Sequence, residues 1–289
     1  MHYANRMINK ISFLFALRLF QIPLLAIPFL IMLPVSSEAN DSLPFFDPMD
    51  VFELEWATDP RVSPDGKTIV YVRRSNDIMK DQQRSNLWQV SSNGIDHRPL
   101  YTGLNNSSSP RWSPDNTKLA FVSNNSGSQQ IHMHWIEASK TAVISQLQNS
   151  PSNLSWSPDG KWLAFTMNVK ALTQPIAKQR KKPEGATWAD KPITVTTTQY
   201  QYDGQGIVEP AYRHVFIVPA DGGSARQLTQ GDFNHYGSLA WTPDSERIFF
   251  SAYRSDNWEL VSDEADIYAV SIATKKLEQI TNESGAERS

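Results

Sequence analysis

His132 and His134 stand two residues apart in a predicted strand, so their imidazoles share one face and could bind a metal ion with a further donor. No acidic or histidine side chain occupies a matching position nearby, and Trp135 follows directly. Because a protein metal site uses several ligands, this pattern favours ordinary strand side chains. We therefore assign no metal-binding residue, and we predict no cofactor.

Two charged segments could also bind ligands. Asp263, Glu264 and Asp266 could hold a cation, but their spacing does not match an EF-hand loop, so a charged connection between strands is favoured. The basic run Lys178–Lys182 could bind anions or nucleic acid. It is followed directly by Pro183 in a chain of modest charge, which favours a solvated loop.

Composition narrows the possible chemistry further. The 289 residues contain no Cys, which excludes disulfides, thiolate zinc ligands, a cysteine nucleophile and a lipoprotein anchor. The formal net charge is −3; residues 1–39 hold three basic residues and one acidic residue, a charge of +2, so the rest of the chain carries −5. A mildly acidic body of this kind lacks the clustered basic face of a nucleic-acid-binding protein, and we predict no nucleic-acid partner.

The N-terminal residues follow the order of a secretory signal peptide. Basic residues, the last of them Arg18, precede an apolar run from Leu19 to Val35, and Ser37-Glu38-Ala39 offers small residues for cleavage. A permanent membrane anchor is the alternative, but the run is near the lower limit of spanning length and is interrupted by prolines such as Pro23 and Pro28. The sequence thus predicts a signal peptide at 1–39, periplasmic or secreted localisation, and no membrane contact after cleavage near Ala39.

A turn motif that occurs four times organises the rest of the chain. One copy is Trp156-Ser157-Pro158-Asp159-Gly160, and the others begin at Val62, Trp112 and Trp241. Proline pre-sets φ for the turn, and Asp followed by Gly, Asn or Ser tolerates the next positions. The three tryptophans could form a ligand-stacking set, but their shared repeat position favours packing between repeats.

Three strands are predicted after each turn, and the segment before the next turn supplies the remaining strand. The first strands are 68–73, 118–123, 162–167 and 247–252, and the second are 86–90, 130–136, 213–218 and 266–272. The third contain Leu100-Tyr101-Thr102, Gln227-Leu228-Thr229 and Gln279-Ile280-Thr281, with Ile144–Leu147 as an imperfect match. Four-stranded units at this period predict an all-β fold, a β-propeller with about four blades. A β-sandwich has no reason to repeat strand order and turn chemistry together.

The spacing of the turns also predicts the domain organisation. The turn prolines stand at 64, 114, 158 and 243, so the last gap is long and indicates either a missing blade or an insertion. Residues 170–212 contain one possible strand, Ile193–Tyr202, and no further Pro-Asp turn, which favours an insertion in the third blade. The predicted parts are the signal peptide (1–39), a lead-in (40–55), the blades (56–283, insertion 170–212) and the start of a next blade (284–289).

Two smaller features complete this prediction. Asp47 is placed to cap a short helix that has Pro48 at its first position and runs to about Glu55. Arg73-Arg74 and Tyr253-Arg254 end equivalent strands and could point into a central channel.

Several phrases in the repeats are more distinctive than the turn itself. They are Val51-Phe52-Glu53, Asp59–Lys67, Val70-Tyr71-Val72, Tyr202-Asp203-Gly204, His214–Val218, Gly222-Gly223 and Arg226–Thr229. Together they resemble the N-terminal propeller of prolyl oligopeptidase family serine peptidases, above all the acylaminoacyl-peptidase and dipeptidyl-peptidase branches. The resemblance covers nearly all of residues 45–283.

The resemblance implies a propeller that restricts peptide access to an α/β-hydrolase domain carrying a Gly-x-Ser-x-Gly nucleophile, an Asp and a His. No Gly-x-Ser-x-Gly occurs in the 289 residues, so we assign no catalytic residue and expect this chain alone to be inactive. The expected function is the non-catalytic propeller portion of an exported peptidase, truncated before its catalytic domain, with peptide substrates reached only through that domain. The alternative is a stand-alone periplasmic propeller that binds a protein partner, as the Tol-system propeller does.

Overall fold

The computed structural model describes residues 46–171, 180–189, 193–256, 258–261 and 264–285. Asp47–Ser289 form one compact unit. The predicted signal peptide and residues 40–45 of the lead-in lie outside the described residues, as do Lys178, Gln179, Asp263 and the residues after 285. Within the described ranges, no helix is long and apolar enough to cross a membrane.

The first element is a 3₁₀ helix, Pro48–Glu53. The Asp47 carboxylate accepts a hydrogen bond from the backbone N–H of Met49 at 2.8 Å, and the Asp50 carboxylate accepts one from the N–H of Asp47 at 2.8 Å. This reciprocal cap satisfies donors that a helix start leaves without partners. The helix start at Asp47 is confirmed, although the helix is of the 3₁₀ type and ends at Glu53.

Sixteen strands form four antiparallel sheets of four strands each, which we call blades 1 to 4. Blade 1 contains β1 (Glu55–Val62), β2 (Thr68–Asp77), β3 (Gln82–Ser91) and β4 (Arg98–Tyr101). Blade 2 contains β5 (Ser107–Trp112), β6 (Lys118–Ser123), β7 (Gln130–Trp135) and β8 (Lys140–Val143). Blade 3 contains β9 (Pro151–Trp156), β10 (Trp162–Lys170), β13 (Ala211–Pro219) and β14 (Arg226–Gln227). Blade 4 contains β15 (His235–Trp241), β16 (Arg247–Ala252), β17 (Asp266–Ser271) and β18 (Leu277–Gln279). The predicted propeller fold with four blades is confirmed.

The grouping of strands differs from the prediction in one respect. The strand before each Pro-Asp turn belongs to the same blade as the strands after it, since β9 pairs with β10 and β5 with β6. The prediction that it completes the preceding blade is wrong. The reason is local, because the turn is short enough to fold the chain directly back on itself as an antiparallel hairpin.

Side-chain hydrogen bonds fix each of these turns. In blade 3 the Ser157 hydroxyl donates to the Asp159 carboxylate at 2.6 Å and accepts from the backbone N–H of Trp162 at 2.9 Å. The hydroxyl bond is the main reason why the pKa of Asp159 lies below its usual value. The same arrangement recurs with Ser63 and Asp65, Ser113 and Asp115, and Thr242 and Asp244.

The first strand of every blade carries a β-bulge. A residue with positive φ stands at the bulge in each blade: Asp59 (49°), Ser109 (55°), Asn153 (54°) and Gly237 (72°). Asn and Asp tolerate this conformation better than most residues, and Gly tolerates it best. The bulges therefore mark equivalent positions even where the residue types differ.

The tryptophans of the turn motif join neighbouring blades. The Trp112 indole donates to the carbonyl of Arg61 at 3.0 Å, and the Trp156 indole donates to the carbonyl of Arg111 at 2.9 Å. Trp241 donates in the same way to Ser155 at 3.4 Å. Each donor lies in one blade and each acceptor on the first strand of the blade before it, which confirms the predicted packing role. Three apolar clusters fill the same junctions, between blades 1 and 2, 2 and 3, and 3 and 4.

Strands β10 and β13 are paired over their full length, from Trp162 opposite Pro219 to Lys170 opposite Ala211. The chain between them, residues 171–210, is thus a long connection within blade 3. Of the strand predicted at Ile193–Tyr202, only Gln201–Tyr202 (β11) is formed, in a small hairpin with Gly206–Ile207 (β12). The rest of that prediction is wrong, because Thr-rich residues 195–198 have no neighbouring strand in the described structure.

Candidate functional site

The histidines considered as metal ligands lie inside the junction of blades 1 and 2. The His132 ring is 2 % exposed and stacks on Phe121 at a centroid distance of 5.4 Å. His134 Nδ1 lies 2.9 Å from the Thr141 hydroxyl. Burial lowers the pKa of both rings, so they are neutral packing residues, as the sequence favoured. In the described part of the chain, no group of three or more His, Asp or Glu side chains is placed to hold a metal ion.

The other charged candidates have separate surroundings. Glu264 accepts from the backbone N–H of Gly285 at 2.9 Å, and Asp266 accepts from the Gln279 amide at 2.9 Å. Residues 180–182 of the basic run are exposed. These side chains therefore do not converge on a common ligand.

The arginines proposed for a central channel bind within the blades instead. Arg73 pairs with Glu55 and lies over the Trp88 ring, 4.3 Å from its centroid. Arg74 donates to the Thr58 hydroxyl at 3.3 Å. These contacts stabilise the strands of blade 1, so the channel hypothesis is not supported for either residue.

The half-buried Arg254 and two buried histidines form a cluster where blade 3 meets blade 4. His235 is fully buried; its Nδ1 bonds to the carbonyl of Arg213, and its Nε2 accepts from the Arg254 guanidinium at 2.9 Å. Arg254 also donates to the carbonyl of Gln230 at 3.0 Å. The His214 ring lies 5.2 Å from that of His235. Burial, followed by the nearby positive charge, lowers the pKa of His235 to about 3 and that of His214 to about 4.

A cavity of about 830 Å³ opens beside this cluster, between the long connection of blade 3 and the strands of blade 4. A volume of this size lies within the range of small-molecule and cofactor pockets. The connection supplies one wall through residues 197–199 and the β11–β12 hairpin, and the start of β13 supplies another. The segment after β16 closes the third side with a short 3₁₀ helix, Trp258–Leu260.

One hydrogen-bonded contact holds the connection in place over the cavity. The backbone N–H and the hydroxyl of Thr198 both donate to the same carboxylate oxygen of Glu259, at 3.1 Å each. Charge-assisted hydrogen bonds of this kind are stronger than neutral ones. Glu259 therefore links two walls of the cavity that are far apart in sequence.

Aromatic rings form much of the remaining lining. Tyr212, at the start of β13, is 8 % exposed and meets Trp258 edge to face, with ring centroids 5.9 Å apart. Burial raises the pKa of Tyr212, and the charges of Asp232 and Glu259 raise it further. Its hydroxyl is thus held in the neutral form.

Tyr202, Tyr253 and Glu264 were singled out from the sequence for other reasons and line the cavity, but its other main residues were not. Tyr212, Thr198 and Glu259 carry no motif, and they converge only because blade 3 contains a long connection. The one available signal was the length of that connection, since long loops in compact folds are often functional.

Comparisons with known proteins agree with this architecture. Residues 86–260 match the TolB beta propeller domain family. The uncharacterized peptidase YuxL of Bacillus subtilis is 29 % identical over 205 residues, which cover 70 % of this chain and 30 % of that protein. Dipeptidyl-peptidase 5 of Porphyromonas gingivalis is 31 % identical over 78 residues, or 27 % of this chain and 11 % of that protein.

Among solved structures, the acylaminoacyl peptidase of Pyrococcus horikoshii superposes with a TM-score of 0.57 at 16 % identity. The superposition covers 81 % of this chain and 33 % of the peptidase, and at this identity it shows the fold alone. The chain spans about a third or less of the length of these three proteins. Parts of its sequence are similar to two proteins that are named as peptidases. The chain itself belongs to the TolB β-propeller domain family.

Proposed function

We propose that this chain is the propeller portion of an exported serine-type peptidase of the prolyl oligopeptidase type. The observation that carries the proposal is the match to a named peptidase over 70 % of the chain. The sequence phrases of the first and third blades, which resemble that family, are consistent with it. A partner hydrolase domain would supply the serine nucleophile, since the 289 residues contain no Gly-x-Ser-x-Gly.

In this proposal the propeller acts by exclusion and positioning. Its rigid blades limit the size of peptide that reaches the hydrolase domain, and the cavity wall built from the blade 3 connection contacts the peptide. The chain by itself cleaves nothing, because acyl transfer needs a nucleophile and a base held within hydrogen-bond reach of each other.

Activity-based labelling tests the proposal. An antibody raised against residues 46–285 would recover the native protein from the organism that encodes it, and a fluorophosphonate probe would label reactive serines. We expect the recovered material to be labelled, and the purified recombinant chain to remain unlabelled and inactive on peptide amides. Native material that carries the propeller but no reactive serine would contradict the proposal and favour the stand-alone propeller with a protein partner.

Export is a separate part of the proposal, supported by the order of basic, apolar and small residues in 1–39. Cell fractionation followed by N-terminal sequencing checks it. A mature N-terminus near Asn40 in the periplasmic or secreted fraction is expected. An intact N-terminus in the cytoplasmic fraction would refute export without affecting the peptidase proposal.

A further inference from the structure

Five pairs of neighbouring residues in the chain join an aspartate or asparagine directly to a glycine. They are Asn93-Gly94, Asp65-Gly66, Asp159-Gly160, Asp203-Gly204 and Asp221-Gly222. At such a pair the glycine nitrogen can attack the side-chain carbonyl carbon, Cγ, because glycine has no side chain to block the approach. The attack is easiest where the glycine N–H and the side-chain oxygens have no other partner, so the local turn decides which pair reacts.

At four of these pairs the glycine N–H is already used by its own turn. Each glycine is the fourth residue of a β-turn and donates to the carbonyl of the first. The donors and acceptors are Gly66 and Ser63, Gly94 and Ser91, Gly160 and Ser157, and Gly222 and Pro219, at 2.8–3.0 Å. Each of these hydrogen bonds has to break before the nitrogen can attack.

The side chains of the same four pairs are also held, since every one accepts a hydrogen bond at Oδ1. The acceptors and donors are Asp65 and Ser63, Asn93 and Ile95, Asp159 and Ser157, and Asp221 and Lys118, at 2.6–3.3 Å. Hydrogen bonds to a carboxylate favour its ionised form. They therefore oppose the attack on aspartate, in which the carboxyl oxygen leaves as water and must first be protonated.

The turn at Asp203-Gly204 is built differently. Its closing bond runs from the N–H of Gln205 to the carbonyl of Tyr202 at 3.1 Å, so the glycine is the third residue of this turn and not the fourth. In the part of the chain that the structure describes, neither the Gly204 N–H nor the Asp203 carboxylate has a hydrogen-bond or ion-pair partner. Both residues are exposed to solvent.

We propose that Asp203-Gly204 is a site of spontaneous aspartate isomerisation. The Gly204 nitrogen bonds to Cγ of Asp203, its proton and the carboxyl hydroxyl leave as water, and a succinimide ring forms. Water then adds to one of the two ring carbonyls. Opening at Cγ restores aspartate, whereas opening at the backbone carbonyl leaves isoaspartate, whose main chain runs through Cβ and Cγ. One water is lost and one is gained, so no oxidant, metal or enzyme is consumed.

Isomerisation at this turn alters the wall of the cavity. The turn connects β11 to β12, and Tyr202 and Gln205 on either side of it line the cavity. Next to the two residue pairs of this hairpin, the N–H of Val208 donates to the carbonyl of Tyr200 at 2.9 Å. Isoaspartate adds one atom to the main chain of this short turn and so disturbs the pairing. The inference does not depend on the proposed peptidase function.

Peptide mapping of the purified full chain after incubation in heavy-oxygen water tests the site. Each passage of an Asp-Gly pair through the succinimide introduces one labelled oxygen, so label uptake counts these events at every pair in the same sample. We expect Asp203 to take up label at least tenfold faster than Asp159, and an isoaspartate peptide of unchanged composition to elute separately. Uptake at Asp203 no faster than at Asp159 would overturn the proposal.

The same experiment in concentrated urea shows whether the turn is the cause. Unfolding removes the hydrogen bonds that hold Asp159 and Gly160, so we expect Asp159 and Asp203 to take up label at similar rates. A tenfold difference that persists in urea would assign the reactivity to the flanking sequence and refute the role of the turn.

Hydrogen exchange at the Val208 amide measures the effect on the hairpin. Asp203→Glu is the matched variant, because it keeps the charge but would have to close a larger ring. We expect the Val208 amide to exchange faster in aged than in fresh wild-type protein, and at an unchanged rate in aged Asp203→Glu. Circular dichroism of the fresh variant confirms that it is folded. An equal change with age in both proteins would show that Asp203 is not responsible.

Discussion

Acid should destabilise this propeller through its buried histidines, and replacing His235 should remove a defined part of the effect. In the folded chain the pKa of His235 is about 3, against an ordinary value of 6.5. Burial is the main reason why the ring stays neutral, and the positive charge of Arg254 adds to it, whereas the bond to the Arg213 carbonyl acts in the opposite direction. In the neutral ring Nδ1 donates to that carbonyl and Nε2 accepts from Arg254. A proton on Nε2 would destroy that acceptor and place a second cation beside the guanidinium.

The direction of the effect follows from proton linkage. A histidine whose folded pKa is depressed binds a proton first in the unfolded state, so stability falls as the pH drops below 6.5 and goes on falling to the folded pKa. For His235 the loss between pH 8 and pH 5 is about 2 kcal/mol. His214, with a folded pKa of about 4, adds about the same amount.

Urea unfolding followed by circular dichroism at pH 5, 6, 7 and 8 measures this dependence. The variant His235→Gln can still donate to Arg213 and accept from Arg254 but does not titrate. We expect its free energy of unfolding to fall by about 2 kcal/mol less than that of the wild-type chain between pH 8 and pH 5. His97→Gln, which removes an exposed histidine, controls for the loss of an imidazole. Parallel curves for His235→Gln and the wild-type chain would refute the reasoning.

Three further predictions concern the blades. Trp156→Phe removes the indole donor to the Arg111 carbonyl and should lower the free energy of unfolding by about 1 kcal/mol in urea titrations. In the wild-type chain the buried N–H of Val215 donates to the Thr229 hydroxyl at 2.9 Å, and Thr229→Val removes this acceptor. The substitution should lower the free energy of unfolding by about 1–3 kcal/mol and speed hydrogen exchange at the Val215 amide. Trypsin should cut after Arg180 in the exposed connection, yet the two pieces should elute together from a sizing column, because β10 and β13 remain paired.

Matched changes at exposed positions serve as controls. Trp188 lies in the exposed connection and Thr274 in a surface turn. Trp188→Phe and Thr274→Val should each change the free energy of unfolding by about 0.5 kcal/mol at most. A Trp156→Phe variant as stable as its control would mean that the inter-blade hydrogen bond contributes nothing net. Separation of the trypsin fragments under native conditions would show that blade 3 does not hold itself together.

The blade repeat was predictable because its chemistry is local. The serine or threonine, the proline and the aspartate of each turn lie within a few residues of one another, and the strands that follow at 118–123 and 247–252 have the predicted bounds. The grouping of the strands into blades was not predictable, because periodicity cannot show which of its two neighbours a strand pairs with.

Blade 2 shows how a correct motif can be assigned to the wrong element. The strand predicted at Ile144–Leu147 is wrong, since β8 ends at Val143. Yet the Ser145 hydroxyl accepts the N–H of Ile131 at 2.9 Å, as the Thr229 hydroxyl does for Val215 in blade 3. In blades 2 and 3 the segment predicted as the third strand thus places a hydroxyl after the outer strand that binds the strand beside it, a role that only three-dimensional pairing reveals.

The cavity could not be predicted for a different reason. Thr198 and Glu259 are 61 residues apart, and Tyr212 and Trp258 are joined only by ring packing. Contacts of this kind depend on the path of one long connection, which has neither a repeat nor a hydrophobic period to guide prediction.

The tryptophan bonds between blades also impose a direction on assembly. At every junction the acceptor carbonyl belongs to the earlier blade and the indole donor to the later one. A ribosome delivers the chain from its N-terminus, so each acceptor is made before its donor. Each blade after the first can therefore dock, as soon as it is synthesised, against a neighbour that already exists.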